Sequence, residues 1–263
     1  MIGLLHPGEM GSAIGTVLKE RGHDVSWASE GRSASTAARA TAAGLLDLGS
    51  PAEVARSSEI LLSVCPPHAA LDVAGAVDGF EGIYVDANAI SPATTRAVAA
   101  QVEGSGARFV DGGIGARFVD GGIVGPPPRE LGDTRLYLAG EAASEVAALF
   151  EGSALEPVVL PGPVGSASAL KMAYAGWTKG SAALLLAVRD TARSEGVEEA
   201  LSEEWSVSIP ELAERLARAE RSAAAKGWRW VGEMEEIAAT LAANGLPAGF
   251  HLAAAEVFRR RSG

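Results

Sequence analysis

Residues 1–29 read Met1-Ile2-Gly3-Leu4-Leu5, His6-Pro7-Gly8-Glu9-Met10-Gly11, Ser12-Ala13-Ile14-Gly15-Thr16-Val17-Leu18-Lys19-Glu20-Arg21-Gly22-His23-Asp24 and Val25-Ser26-Trp27-Ala28-Ser29. A short apolar run, a glycine-containing turn, an amphipathic helix closed by Gly22 and a second apolar run make one βαβ unit. Such a turn aims backbone N–H groups and the positive end of a helix dipole at one point, where a pyrophosphate can sit. The match to G-x-G-x-x-G is incomplete, because His6 holds the first glycine position while Gly8 and Gly11 hold the second and third. Gly8 is expected to let the backbone approach the phosphates, and Gly11 to let the helix pack on the strand. Pro7 fixes its own φ and pushes His6 towards extended geometry, so His6-Pro7 makes the turn by another route. His6, Pro7, Gly8, Glu9, Met10 and Gly11 are the candidate dinucleotide turn, with Glu9 pointing to solvent to avoid repelling a pyrophosphate.

The second strand leads into Ala28-Ser29-Glu30-Gly31-Arg32-Ser33, where a dinucleotide fold reads the adenosine ribose. An NAD site places a carboxylate at the strand end, whereas an NADP site carries an arginine and small hydroxyls for the extra phosphate. Ser29, Arg32 and Ser33 therefore favour NADP(H). Glu30 keeps NAD(H) open if the strand runs one residue further. Downstream, Glu59 to Val64 is an apolar run that reads as a buried parallel strand. It ends in Cys65-Pro66-Pro67-His68, a rigid turn at the carboxyl edge of the sheet, the edge at which open α/β sheets bind ligands. Cys65, Pro66 and Pro67 are candidates to flank the nicotinamide ribose, Cys65 as packing rather than nucleophile and His68 as a surface residue. Gly82 to Asp86 is the next strand. Asn88 follows it as a candidate ligand for cofactor and substrate oxygens, while Asp86 reads as an acid that holds loop amides.

Gly106-Ala107-Arg108-Phe109-Val110-Asp111-Gly112-Gly113-Ile114 is repeated without change as residues 115–123. Two copies of so short a period do not make a solenoid; a tandem duplication or a sequence error is the simpler origin. Each copy contains one strand. The second runs into Val124-Gly125-Pro126-Pro127-Pro128 and is expected to keep the sheet position, leaving the first to loop out or extend a hairpin. Further strands at Leu136–Gly140 and Glu156–Leu160 flank a helix near 142–150. Pro161-Gly162-Pro163-Val164-Gly165 then ends the strand pattern. This predicts an α/β Rossmann-type parallel sheet over 1–162 and an all-α domain over 163–263. The helices are read at 166–194, 198–207, 210–225, 231–243 and 247–261.

Between Ser166 and Val188 the only charged residues are Lys171 and Lys179. Lys171, Tyr174 and Thr178 share one stripe of an otherwise apolar helix, with Lys179 at its edge. A buried lysine is costly unless paired or used. Lys171 is accordingly the candidate proton donor and acceptor for a substrate oxygen, and Tyr174, Thr178 and Lys179 are candidate substrate contacts. The alternative is that the lysines snorkel to solvent or bond helix carbonyls. Ala173, Ala175, Gly176 and Gly180 let another helix approach, which suggests a homodimer.

The 263 residues carry 33 acidic and 22 basic side chains, a net charge of −11 that argues against a nucleic-acid partner. The longest apolar stretch is too short to span a bilayer, and no export signal is visible. A single cysteine excludes an intrachain disulfide and a Cys-based zinc site and fits a cytoplasmic location. No metal site is expected.

Over nearly the whole chain the pattern resembles the β-hydroxyacid dehydrogenase superfamily, which includes 3-hydroxyisobutyrate and 6-phosphogluconate dehydrogenases. Gly8-Glu9-Met10-Gly11 with Arg21-Gly22-His23 looks like its N-terminal signature. Gly162 through Lys171 looks like its catalytic segment, whose lysine is the general acid/base. Residues 118–128, 170–180 and 229–237 look like a branch described as NAD-binding phosphogluconate-dehydrogenase-like oxidoreductases. The resemblance implies a dehydrogenase acting on a small hydroxy or carbonyl compound, with Gly122 and Gly125 in the substrate loop. Val124-Gly125-Pro126 replaces the family's Ser-Gly-Gly, and Ala175 replaces its asparagine four residues after the lysine. Related imine reductases share the scaffold with a different residue at the lysine position, and a non-catalytic NADPH-binding module is the remaining alternative.

Overall fold

The computed structural model describes residues 1–77, 79–105 and 116–261. It divides into two compact units, Met1–Lys171 and Met172–Gly263.

The first unit is built on an eight-stranded sheet of order β3-β2-β1-β4-β5-β6-β7-β8. Its strands are β1 (Ile2–Leu4), β2 (Val25–Trp27), β3 (Leu46–Asp47), β4 (Ile60–Ser63), β5 (Ile83–Asp86), β6 (Arg117–Val124), β7 (Thr134–Ala139) and β8 (Leu155–Val159). Strands β1 to β6 are parallel. β7 runs antiparallel to β6 and parallel to β8. The order reverses beside β1, which pairs with both β2 and β4. A reversal of that kind opens a crevice at the carboxyl ends of the strands.

Alternation along the strands sends apolar side chains to both faces. Leu4, Leu62, Val85 and Val119 join one core cluster, while Leu61, Tyr84 and Phe118 join the other. Parallel sheets are covered on both faces, and here the cover comes from α1 (Glu9–Glu20), α2 (Ala34–Ala42), α3 (Pro51–Ser57), α4 (Ala70–Gly75), α5 (Pro92–Ser105) and α6 (Ala143–Ala148). Helix α1 stops where Gly22 adopts φ +85° and donates its N–H to the Lys19 carbonyl, a left-handed residue that only glycine takes cheaply.

The strand β6 is made by the second copy of the repeat, paired to β5 from Ile83↔Arg117 to Asp86↔Asp120. Residues 106–115, which hold the first copy, lie outside the described residues.

Helix α7 (Ser166–Ser194) begins in the first unit and continues into the second, which adds α8 (Glu198–Ser208), α9 (Leu212–Ala243) and α10 (Gly249–Arg260). The sequence reading broke α9 near residues 226–230. The structure carries one helix of 32 residues through that point, with Gly227 buried inside it. No proline interrupts the segment, and a lone glycine costs an α-helix only about 1 kcal/mol. Gly176 and Gly180, taken above as the approach surface for a partner subunit, instead make room for His251 of α10. A Cβ on Gly180 would lie 2.9 Å from its Nε2, which bonds the Gly176 carbonyl at 3.0 Å. Among the described residues no helix is long and apolar enough to cross a membrane.

Candidate active site

The turn between β1 and α1 is held by its own backbone. Gly8 is the N-cap of α1, extended, and no side chain caps the helix. The Gly8 N–H donates to the His6 carbonyl at 2.8 Å, and the Gly8 carbonyl accepts the Ser12 N–H at 2.9 Å. Pro7 is buried, Met10 half-buried and Glu9 exposed. A Cβ on Gly11 would lie 2.3 Å from the His6 carbonyl oxygen but 3.8 Å from Leu4. Gly11 is therefore needed where the helix passes the loop, not where it meets the strand. A Cβ on Gly8 would meet only the His6 imidazole within 4 Å, so the turn stays open above its helix end.

Arg32 lies back over this turn. Its Nη1 is 2.8 Å from His6 Nδ1 and its Nη2 donates to the Leu5 carbonyl at 3.1 Å. A guanidinium only donates, so His6 Nδ1 accepts. The Nε of Arg32 is buried without a partner. Ser33 caps α2 by accepting the Thr36 N–H. Strand β2 ends at Trp27, so Glu30 does not stand at a strand end. Ser29 donates its N–H to Asp47 Oδ1 at 3.2 Å. Slight burial works against the Asp47 carboxylate, but hydrogen bonds from Gly49 and Ser29 outweigh it and hold the group below its usual range.

At the ends of β4 and β5 a buried network binds the next two loops together. Pro66 leads into a 3₁₀ turn over Pro67–Ala69. The Cys65 N–H donates to Asn88 Oδ1. Asn88 Nδ2 donates to Ser63 Oγ at 3.0 Å and to Asp86 Oδ2 at 2.9 Å, and the Asn88 N–H donates to Asp86 Oδ1. Both amide hydrogens of Asn88 are thus committed inside the protein. The expectation that Asn88 projects towards cofactor or substrate gives way to a loop-fastening role, since its position between two strand ends buries it. Burial, with the nearby Asp86 charge, pushes the Cys65 thiol up to about 12, which leaves it unreactive at neutral pH.

Burial raises Asp86 from its ordinary 3.8 to about 7, against the hydrogen bonds from Asn88 and with help from the charge of Asp120. The folded state therefore binds this proton more tightly than the unfolded chain does. The stabilisation is complete below about pH 4 and is lost as pH rises through about 7. Urea unfolding at pH 5 and pH 8 should show the protein losing stability over that interval, and Asp86→Asn should flatten the slope. An unchanged slope in the variant would assign the pH dependence elsewhere.

Asp120, at the register partner of Asp86, was not singled out from the sequence, yet it fixes the start of α7. Its carboxylate accepts the N–H groups of Gly165 (2.9 Å), Ala167 (2.8 Å) and Ser168 (3.1 Å) and the Ser168 hydroxyl (2.6 Å). An acid between the apolar run Phe118-Val119 and Gly121-Gly122 was the available signal; it lies inside β6, whereas Asp86 ends β5. Gly122 has no side chain because α7 lies on it. A Cβ there would be 2.7 Å from the Ala167 carbonyl and 3.2 Å from Lys171 Cβ. One turn further along α7, Lys171 Nζ donates to the Ile123 carbonyl at 2.7 Å. Lys171 therefore stands at the carboxyl end of β6, on the edge of the sheet that also carries the β1–α1 turn. Gly125 serves the hairpin between β6 and β7. It adopts φ +133°, and a Cβ would lie 2.4 Å from the Asp133 carbonyl.

In the second unit Tyr174 is exposed, and Thr178 Oγ1 donates to the Tyr174 carbonyl at 3.0 Å. Lys179 forms an ion pair with buried Glu233 and lies 5.3 Å from the Trp230 ring centroid. Its ammonium is used within the helical unit, which counts against a substrate contact.

The family model for the NAD binding domain of 6-phosphogluconate dehydrogenase matches residues 1–123, and that for a domain of unknown function, DUF1932, matches residues 192–261. An uncharacterised 28.5 kDa protein of Methanothermus fervidus is 30% identical over 203 residues, covering 77% of this chain and 74% of the relative. Conserved protein MTH1747, described as structurally similar to 3-hydroxyacid dehydrogenases, is 28% identical with TM-score 0.70, over 99% of this chain and 96% of its own. The 3-hydroxyisobutyrate dehydrogenase of Mycobacterium tuberculosis, 16% identical with TM-score 0.70, shares the fold over 98% of this chain and 92% of its own. So does a reductive aminase from Aspergillus terreus in complex with NADPH, 19% identical with TM-score 0.61 over 98% and 92%. The Rossmann order of the sheet, the open helix-capped turn and these matches agree, and the chain belongs to the 6-phosphogluconate-dehydrogenase-like superfamily of NAD(P)-dependent oxidoreductases.

Proposed function

We propose that the protein is an NADP-preferring oxidoreductase that moves hydride between the nicotinamide and a small hydroxy or carbonyl compound, with Lys171 as general acid and base. The observation that carries this reading is the placement of Lys171 Nζ on the Ile123 carbonyl, on the sheet edge where the β1–α1 turn opens.

The turn fits a dinucleotide. Gly8 leaves the end of α1 uncapped by any side chain, and the helix terminus favours a pyrophosphate. The buried, unpartnered Nε of Arg32 offers one more donor beside the turn. Ser33, Ser35 and Thr36 gather hydroxyls at the start of α2, with Ser33 Oγ 3.0 and 3.1 Å from the other two. Arginine and hydroxyls suit a ribose phosphate better than a bare ribose. The bound cofactor would supply the hydride. The chain's task is to hold it, fasten the loops beneath it through Asn88 and Asp86, and deliver a proton from Lys171.

Arg32→Ala should weaken NADPH binding about 10- to 100-fold while leaving NADH binding nearly unchanged, as read by fluorescence titration. Equal losses for both cofactors would assign Arg32 to holding the turn and not to choosing between cofactors. The same reading includes a cytoplasmic homodimer that covers exposed apolar residues of the helical unit such as Leu184 and Phe250. Imine reduction is the second reading, supported by the reductive aminase that shares the fold. A lysine that can protonate an alkoxide favours carbonyl chemistry over it.

A further inference from the structure

We propose that the helical unit binds a small organic anion with a flat apolar body in a groove of about 330 Å³ between α7 and the start of α9. It goes beyond the reading above and stands on residues of the helical unit alone. The ligand class is an aryl-type carboxylate or phosphate.

Helix α7 lines the groove with Tyr174, Trp177, Thr178 and Ser181. Their i, i+3, i+4, i+7 spacing places them on one face. Tyr174 is 50% and Trp177 70% exposed. Large aromatic rings left open beside polar groups are the usual composition of a ligand site, offering flat apolar area with a polar handle. From α9 come Arg215 and Arg218, one turn apart. Arg218 Nη2 donates to Glu214 Oε1 at 2.6 Å, so part of its charge is spent on its own helix. Arg215 makes no ion pair among the described residues.

That lack has weight in this chain. The net charge is −11; Arg189, Arg193, Arg259 and Arg261 of the same unit are each matched by a carboxylate, whereas Arg221, like Arg215, makes no ion pair among the described residues but does not line the groove. A guanidinium without an ion-pair partner that shares a groove with aromatic rings is suited to a planar anion held by paired hydrogen bonds and ring stacking. The volume suits a single ring with one anionic arm and is too small for a second dinucleotide. Tyr174 and Thr178 lie one and two turns along α7 from Lys171.

The test uses the intact chain without cofactor, following tryptophan emission during titration with phenylacetate, with phenyl phosphate and with neutral phenylacetamide. One of the two anions should quench saturably and bind at least about tenfold more tightly than the amide. Which of the two binds distinguishes a carboxylate site from a phosphate site. The quench should vanish in Trp177→Phe, and affinity should fall about tenfold or more in Arg215→Ala at unchanged circular dichroism. Equal binding of the amide, or full affinity in Arg215→Ala, overturns the proposal. So does emission that tracks protein concentration as the molar mass doubles, which would mean that a second copy fills the groove. NADPH titrated into the same samples keeps the two readings apart. Cofactor binding without anion quenching removes only the groove, and anion quenching without cofactor binding removes only the dinucleotide site.

Discussion

Lys171→Met is expected to lower kcat by about 10²- to 10⁴-fold, the usual worth of a positioned general acid or base, while NADPH binds as it does to the parent chain. The lysine is half-buried and its ammonium bonds the Ile123 carbonyl. That bond sets the side chain along the carboxyl edge of β6. Methionine keeps the length and apolar stem without the proton, so the fold and the turn at Gly8 should be undisturbed. The measurement is steady-state turnover of a panel of keto acids and cyclic imines by both proteins, with circular dichroism as the check on folding. Carbonyl reduction that survives in the variant at parental rates would take the proton from another group and remove Lys171 from the chemistry.

Asp120→Ala should destabilise the protein by about 3–5 kcal/mol, because it strips a buried acceptor from several donors at once. The N–H groups of Gly165, Ala167 and Ser168 and the Ser168 hydroxyl all end on this carboxylate. They form the first turn of α7, where the helix dipole also favours a negative charge. Burial raises the pKa of Asp120, and the four hydrogen bonds work in the opposite direction. Ser168 Oγ would keep Thr95 as a partner, 2.7 Å away, but the three backbone donors would have none in its place. Asp120→Asn retains one acceptor and should lose less. Urea midpoints of the two variants against the parent test this. A loss below about 1 kcal/mol for alanine would mean that water replaces the carboxylate, contrary to its complete burial.

Local pattern made much of this architecture legible in advance. Gly22, the β1–α1 turn and the apolar runs at Ile60–Ser63 and Ile83–Asp86 specify their elements through short-range chemistry, and the structure places all of them where periodicity does. The features that escaped depend on partners distant in sequence. The strand β3 is only Leu46–Asp47, too short for any alternation to show. Asn88 looked free for a ligand because Ser63 and Cys65, which consume its amide, come from another strand end. Gly176 and Gly180 looked like a subunit seam because their actual neighbour, His251, lies on a helix some seventy residues away. The burial of Glu233 likewise follows from Lys179, which pairs with it from another helix. Lys171 was visible for a different reason. It is an isolated charge on an apolar helix, and such a residue has to be explained by a partner or a use.

We propose that the open turn at Gly8, with Arg32 folded over it, holds a phosphorylated dinucleotide. The most direct test is fluorescence titration of NADPH and NADH into the intact chain at equal ionic strength. Saturable binding of both, with NADPH about tenfold or more the tighter, is the result expected from an arginine and hydroxyls at the ribose position. Saturable binding of neither would contradict the dinucleotide reading of residues 1–33, and with it the role given to Lys171.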